Sequence, residues 1–148
     1  MTNLQKETVL FICTHNSVRS QMAEAILRKK YGDHFIAWSA GTNPTSINPY
    51  AKRVLAELDI DISTQESKHI GNFFNNKIDL VVTVCDSAKE ECPFFPGANQ
   101  YEHISFKDPS EHTGTEEETL TEFRRIRDEI SNWIEKKFGQ RMPKKRKS

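Results

Sequence analysis

Hydrophobic and polar positions along the chain follow two periods, one typical of buried strands and one typical of amphipathic helices. Apolar runs rich in β-branched and aromatic residues predict strands at about Thr8–Cys13, His34–Ala40 and Ile78–Val84, with a weaker fourth at Tyr101–Phe106. The run Ile78–Val84 is apolar at nearly every position, which indicates a strand covered on both faces.

Helical signals separate these strands. Asn48 and Pro49 form an N-cap followed by a first-turn proline, whereas Ser63 and Thr115 each stand three residues before a glutamate, as in a capping box. The first helix would be capped by the hydroxyl of Ser20. The predicted helices run, approximately, over Ser20–Tyr31, Asn48–Leu58, Ser63–Phe74 and Thr115–Phe138.

This alternation predicts an α/β fold, a parallel sheet with helices on both faces. We expect one domain over residues 1–140, followed by a basic, disordered tail at 141–148. Ligands of such folds bind at the carboxyl ends of the strands. Cys13, Cys85 and Asp108 each end or follow a predicted strand, so topology places all three at the same edge of the sheet.

The loop between the first strand and the first helix carries the chemistry. It starts at Cys13, ends at Arg19 and Ser20, and directs backbone N–H groups and a helix N-terminus into one hollow. Such a nest binds a tetrahedral oxyanion, to which Arg19 can add a bidentate contact. The same positive field favours a Cys13 thiolate, a nucleophile. The oxyanion-binding loop comprises Thr14, His15, Asn16, Ser17, Val18 and Arg19.

Charge and cysteine content narrow the function class. The tail holds five of the 21 basic residues, which leaves residues 1–140 with 16 basic and 21 acidic residues, a net charge of −5. That balance argues against nucleic-acid binding. The sequence shows no bilayer-spanning apolar run or signal peptide, so we expect no membrane association. Three cysteines, an odd number, suggest reduced thiols in the cytoplasm.

Taken one at a time, Cys85, Cys92 and Asp108 indicate a function less specifically than the anion loop does. Cys85 and Cys92 would lie two turns apart on a helix, too far for a disulfide unless the segment unwinds. Their spacing does not suit zinc, and no metal is required. Each could be an incidental thiol. Asp108, fixed by Pro109, is either a turn residue or a general acid beside the oxyanion.

These residues resemble a known family. The pattern from Cys13 to Glu24 is similar to the anion loop of the low-molecular-weight protein tyrosine phosphatases. The Cys85/Cys92 pair and the stretches 79–85 and 123–130 narrow the resemblance to the thioredoxin-coupled arsenate reductases built on that scaffold. The resemblance spans about residues 8–138. It implies a flavodoxin-like four-stranded parallel sheet and reduction of arsenate to arsenite, for which phosphate or sulfate would be analogues.

The resemblance also implies a mechanism. Cys13 would attack arsenic while Arg19 and the loop amides hold the oxyanion, Ser20 supports the thiolate and Asp108 protonates the departing oxygen. Disulfides would then form in two steps, first Cys13–Cys85 and then Cys85–Cys92, and thioredoxin would reduce the second. Thioredoxin is the expected partner and reductant, with no bound cofactor.

The sequence departs from the family pattern at three positions. His15 replaces a usual glycine, and Val18 replaces a second loop cysteine of many relatives. Some members bind potassium through Asn, Glu, Ser and Asp. Asn16, Glu24 and Ser39 match that set, but Lys68 stands at the aspartate position. The ammonium group of Lys68 would therefore either replace the ion or remain solvated.

Two alternatives remain at this point. A phosphatase would share Cys13, Arg19 and Asp108 without needing redox thiols, although Ser110 and Glu111 replace the aromatic residues that hold a phenol. A non-enzymatic thiol redox or oxyanion sensor would use the same disulfide switch. We expect a cytoplasmic, monomeric arsenate reductase with weak phosphatase activity.

Overall fold

A four-stranded parallel sheet organises the protein. The computed structural model describes residues 6–86 and 94–141. The strands are β1 (Glu7–Cys13), β2 (Phe35–Gly41), β3 (Ile78–Thr83) and β4 (Ala98–His103), in the spatial order β2-β1-β3-β4. The predicted α/β class and parallel sheet are confirmed. In the part of the chain that the structure describes, no helix has the length and apolar character needed to cross a membrane.

The described residues form three α-helices, two between strands and one after the last strand. They are α1 (Arg19–Tyr31), α2 (Pro49–Ala56) and α3 (Glu116–Arg141). The side chain of Asn48 accepts a hydrogen bond from Tyr50 N, as an N-cap should. Thr115 and Glu118 form the predicted capping box, each side chain bonding the other residue's backbone N–H. The last helix reaches Arg141, and the predicted tail beyond it lies outside the described residues.

Three sequence predictions were wrong in detail. The helix predicted at Ser63–Phe74 is only a 3-10 helix at Ile70–Phe73, because Gln65 bonds to α1 and Lys68 bonds to the anion loop instead. The fourth strand lies three residues earlier than predicted, since the side chains of Ile104 and Phe106 pack in the core beside α3. No side chain caps α1, whose N-cap is Val18, because the Ser20 hydroxyl is used elsewhere.

The core has two parts, one on each face of the sheet. All three α-helices contribute to the larger cluster, with Met22 from α1, Leu55 from α2 and Phe123 from α3. The 3-10 helix covers the opposite face, where Phe73 and Phe95 pack against alternate residues of the strands. The sheet is covered on both faces, as predicted, by the three described α-helices on one side and by the 3-10 helix on the other.

The carboxyl ends of the strands form one edge. Cys13 pairs with Gly41 of β2, and Val84 N donates to Ile12 O, so Cys85 follows β3 beside the end of β1. A Cβ atom on Gly41 would lie 2.5 Å from Thr14 O, which real Cβ contacts do not permit. Glycine therefore lets the end of β2 lie directly against the anion loop.

Candidate active site

A polar cavity of about 230 Å³ lies over the anion loop. Cys13, His15 and Arg19 line it from the loop, and Asp108 and Ser110 line it from the opposite side. The Cys13 side chain is buried, with only 2% of its surface exposed, and its thiol is free. The predicted nucleophile thus lies in a cavity of suitable size for a tetrahedral oxyanion, beside the N-terminus of α1.

Asn16 holds the loop in its turn. Its backbone has φ of 50°, a left-handed conformation that asparagine tolerates better than most residues. Lys68 N lies 2.7 Å from Asn16 Oδ1, and a backbone N–H can only donate, so this contact identifies the amide oxygen. The amide nitrogen therefore faces two hydroxyls, at 2.8 Å from Ser20 Oγ and 2.9 Å from Ser39 Oγ.

The orientation of the Asn16 amide determines how the Ser20 hydroxyl can interact with the Cys13 sulfur. Ser20 Oγ lies 2.9 Å from Cys13 Sγ and already accepts a hydrogen bond from Asn16. Its own proton is therefore available to the sulfur, where it can stabilise a thiolate. The sequence predicted two roles for the Ser20 hydroxyl, the helix cap and support of the Cys13 thiolate, and in the structure the hydroxyl lies beside the Cys13 sulfur.

Arg19 and Asp108 meet across the cavity. Arg19 is 3% exposed, and its guanidinium lies 3.5 Å from Asp108 Oδ2 and 3.3 Å from the Phe106 carbonyl oxygen. Asp108 Oδ1 accepts from both the backbone N–H and the hydroxyl of Ser110, which fixes the carboxyl group at the rim. The geometry leaves one carboxyl oxygen facing the arginine and the cavity.

Cys13 and Cys85 differ in redox state. Cys85 is fully buried in the same hydrophobic cluster as Cys13, and it is disulfide-bonded. Cys92, the other predicted redox residue, lies outside the described residues. The free Cys13 thiol and the bonded Cys85 are therefore neighbours at the same sheet edge, as topology predicted.

The four residues of the predicted cation site also come together. Ser39 Oγ donates to Glu24 Oε1, and Asn16 donates to Ser39. Lys68 Nζ lies 3.8 Å from Glu24 Oε1, while Arg28 binds the other carboxylate oxygen. Among the described residues there is no group of three or more histidine, cysteine, aspartate or glutamate side chains placed to hold a metal ion.

Sequence reasoning missed the residues that support the loop from outside. Gln21 is fully buried, and its amide nitrogen lies 2.9 Å from Asn16 Oδ1 and 2.8 Å from Glu66 O. The Ser67 hydroxyl lies 2.9 Å from Asn16 O. A glutamine in the first turn of α1 was the one available signal, but partners 45 to 51 residues away cannot be read from local sequence.

Comparisons with known proteins point to one family. A family model described as low molecular weight phosphotyrosine protein phosphatase matches residues 8–148. The arsenate reductase of Bacillus subtilis (strain 168) is 42% identical over 137 residues, which cover 93% of this chain and 98% of the relative.

Two solved structures extend the comparison. One, described as an arsenate reductase in the phosphate binding state, aligns with a TM-score of 0.77 at 28% identity, covering 90% of this chain and 98% of the other. The other is the thioredoxin-dependent arsenate reductase of Corynebacterium glutamicum. It aligns with a TM-score of 0.61 at 29% identity over 88% of this chain and 62% of its own length.

Proposed function

The chain belongs to the low molecular weight phosphotyrosine protein phosphatase family, and from this premise we propose that it reduces arsenate to arsenite through a relay of three cysteines. One observation carries the proposal most directly: a disulfide-bonded cysteine, Cys85, lies in the same buried cluster as the free thiol of Cys13 in the anion cavity. A phosphatase needs the nucleophile but has no use for the second sulfur.

The first step is attack of the Cys13 thiolate on arsenic. Arg19 and the amides of residues 14–19 hold the oxyanion, and the Ser20 proton stabilises the sulfur before attack. Asp108 acts as the general acid that delivers a proton to the departing oxygen, which leaves as water. The product is a Cys13–arsenic(V) thioester-like adduct.

The second step transfers two electrons. The Cys85 thiolate attacks the Cys13 sulfur, the sulfur–arsenic bond breaks, and its electron pair stays with arsenic, which leaves as arsenite. A Cys13–Cys85 disulfide remains. Attack of Cys92 on Cys85 then releases the Cys13 thiolate and leaves a Cys85–Cys92 disulfide. A free Cys13 beside a bonded Cys85 corresponds to that final state.

Thioredoxin completes the cycle in this proposal, with no bound cofactor. The support is a structural neighbour described as thioredoxin-dependent. Because thioredoxin and NADPH supply electrons in a reducing compartment, we place the protein in the cytoplasm. One chain carries all three cysteines, so we propose a monomer.

The phosphatase alternative is less favoured. Ser110, rather than an aromatic side chain, lines the rim of the cavity beside Asp108. An aryl phosphate could reach Cys13, but no aromatic residue at that position would stack on its ring. We therefore expect weak phosphatase activity as a side activity. A redox or oxyanion sensor would use the same thiols without sustained turnover.

The proposal is tested by arsenate-dependent NADPH consumption with thioredoxin and thioredoxin reductase, run beside a p-nitrophenyl phosphate assay. For an arsenate reductase, we expect sustained arsenate-dependent turnover by this protein, far above its rate of p-nitrophenyl phosphate hydrolysis. Phosphatase turnover without arsenate-dependent NADPH consumption would identify a phosphatase, and a single stoichiometric reaction would identify a sensor.

We also propose that Lys68 serves as a tethered cation in place of potassium. Its ammonium group lies 3.8 Å from the buried carboxylate of Glu24 and 2.6 Å from Glu66 O. Through Ser39 and Asn16, that carboxylate connects to the hydroxyl that supports Cys13. A covalently held ammonium occupies the site without the entropic cost of capturing a free ion.

Potassium should therefore have no specific effect on the wild-type protein. We expect equal melting temperatures and equal turnover in potassium and sodium chloride at the same ionic strength. Lys68→Met should lower the free energy of unfolding by about 1 kcal/mol, since a buried carboxylate loses one of two cationic neighbours. Differential scanning calorimetry in each salt measures both effects.

Lys77→Met is the matched control, because Lys77 is exposed and lies beyond the 3-10 helix. It should leave stability unchanged. A potassium-specific rise in the wild-type melting temperature would refute the tethered cation, as would a Lys68→Met protein as stable as the control.

A further inference from the structure

Two aromatic side chains lie stacked on the surface near the carboxyl edge of the sheet. We call this edge, which carries Cys13 and Cys85, the redox edge. Phe94 is 73% exposed and Tyr101, on β4, is 49% exposed. Their ring centroids are 5.9 Å apart, and the ring planes are inclined by 19°. The neighbouring Phe95 is 1% exposed and packs in the core, so it anchors the backbone that presents Phe94 to solvent.

The pair forms one side of a shallow groove of about 350 Å³. Thr83 and His103 line the groove toward the carboxyl edge of the sheet, and their side chains are 2.7 Å apart. Thr83 stands two residues before the disulfide-bonded Cys85, and Phe94 stands two residues after Cys92. Described residues close in sequence to each of the two relay cysteines, Thr83 and Phe94, therefore line this groove.

We propose that Phe94 and Tyr101 form the docking surface for thioredoxin when it reduces the disulfide that includes Cys85. This inference rests on the proposed function for the identity of the reductant. It assigns to this chain a surface that the reaction in the anion cavity does not use.

The position of the sulfur explains why a protein surface is needed. Cys85 has no exposed surface, so a reducing thiol cannot collide with it freely from solvent. A reductant that docks beside the edge instead holds its thiolate against the disulfide for long enough to form a mixed disulfide. The groove lined by Thr83 and Phe94 is therefore a suitable place for contact.

The size and chemistry of the patch fit a short-lived redox complex. Redox encounters bury less than about 1,200 Å², so a few side chains must supply most of the affinity. Aromatic residues are the commonest such anchors, and truncating an anchor weakens binding by at least about fivefold. Phe94 and Tyr101 offer a rigid apolar surface at low entropic cost.

The test measures the reduction of oxidised protein by reduced thioredoxin in the absence of arsenate, by stopped flow with excess thioredoxin. In Phe94→Ser and Tyr101→Ser, the second-order rate constant should fall at least about fivefold, and further in the double variant. Reduction of the same disulfide by dithiothreitol is expected to be slow, and its rate should be equal in wild type and variants, because a small dithiol makes no contact with the docking surface.

Leu58→Ser is the matched control, since Leu58 is 40% exposed and follows α2, away from the redox edge. It should react with thioredoxin at the wild-type rate. A double variant that remains folded and reacts with thioredoxin as fast as wild type overturns the proposal. So does sedimentation equilibrium showing a wild-type dimer that Phe94→Ser dissociates, which would make a second copy the occupant.

The test of the docking surface can fail or succeed independently of the test of arsenate reduction. Arsenite release in a single turnover, without thioredoxin, should be the same in wild type and in both variants. A wild-type protein that releases no arsenite, but whose disulfide is reduced by thioredoxin faster than that of the variants, would refute arsenate reduction and still support the docking surface.

Discussion

Cys13→Ser should abolish both arsenate reduction and phosphatase activity, by about three orders of magnitude or more in kcat. The serine hydroxyl does not ionise near neutral pH, and the Ser20 proton would then bond to a neutral oxygen instead of a thiolate. In the proposed mechanism both reactions begin with attack by the Cys13 sulfur, so both should fail together. Arsenite release and p-nitrophenol release on the purified variant measure the two losses.

The variant should still fold and bind oxyanions, because serine is smaller than cysteine and the loop contacts of Asn16 do not involve the sulfur. Phosphate should therefore raise the melting temperature of the variant and of the wild type by similar amounts. Substantial retained turnover in either assay would remove Cys13 from the nucleophile role in that reaction.

Cys92→Ser should reduce one arsenate per protein and then stop. In the proposed relay Cys85 can still attack Cys13 and release arsenite, but nothing then displaces Cys13 from the resulting disulfide. We expect a burst of one equivalent of arsenite, loss of sustained thioredoxin-coupled turnover, and a Cys13–Cys85 disulfide in the peptide mass map. Sustained turnover by this variant would eliminate the three-cysteine relay.

Cys85→Ser should fail one step earlier, with little arsenite released, because no thiolate adjoins Cys13 to attack its sulfur and leave the two electrons with arsenic. Its phosphatase activity should remain at the wild-type level, and so should that of Cys92→Ser. This contrast serves as the internal control, since a protein that acts only as a phosphatase would show no effect of either substitution in any assay.

Where local signals decided the structure, the sequence predicted it well. Asn48 caps α2 and Thr115 caps α3, because each side chain finds its partner within three residues. The same capping-box spacing at Ser63 did not give a helix. There Ser63 N bonds to Asp61, and Gln65 and Lys68 bond to residues of α1 and the anion loop. Interactions with residues far along the chain outweighed the local preference.

The candidate site likewise has features that the sequence predicts and features that depend on residues far along the chain. Cys13 and Arg19 are recognisable because strand, loop and helix are contiguous in sequence, and parallel topology was enough to predict Cys85 at the same edge. The direction of the hydrogen bonds from Asn16 to Ser20 and Ser39 was not predictable. It depends on Lys68 N reaching the amide oxygen, a contact across 52 residues.

That contact has a consequence for how the protein folds. The loop carrying the nucleophile is held by the segment 65–68, through bonds that span 44 to 52 residues and through Gly41 N, which donates to Lys68 O. Contacts of such long sequence separation bear a large loop-closure cost and slow the folding step that makes them. The strand–loop–helix unit alone therefore cannot complete the anion site. During synthesis, a chain that has only just produced β1 and α1 carries the cysteine but not the environment that activates it.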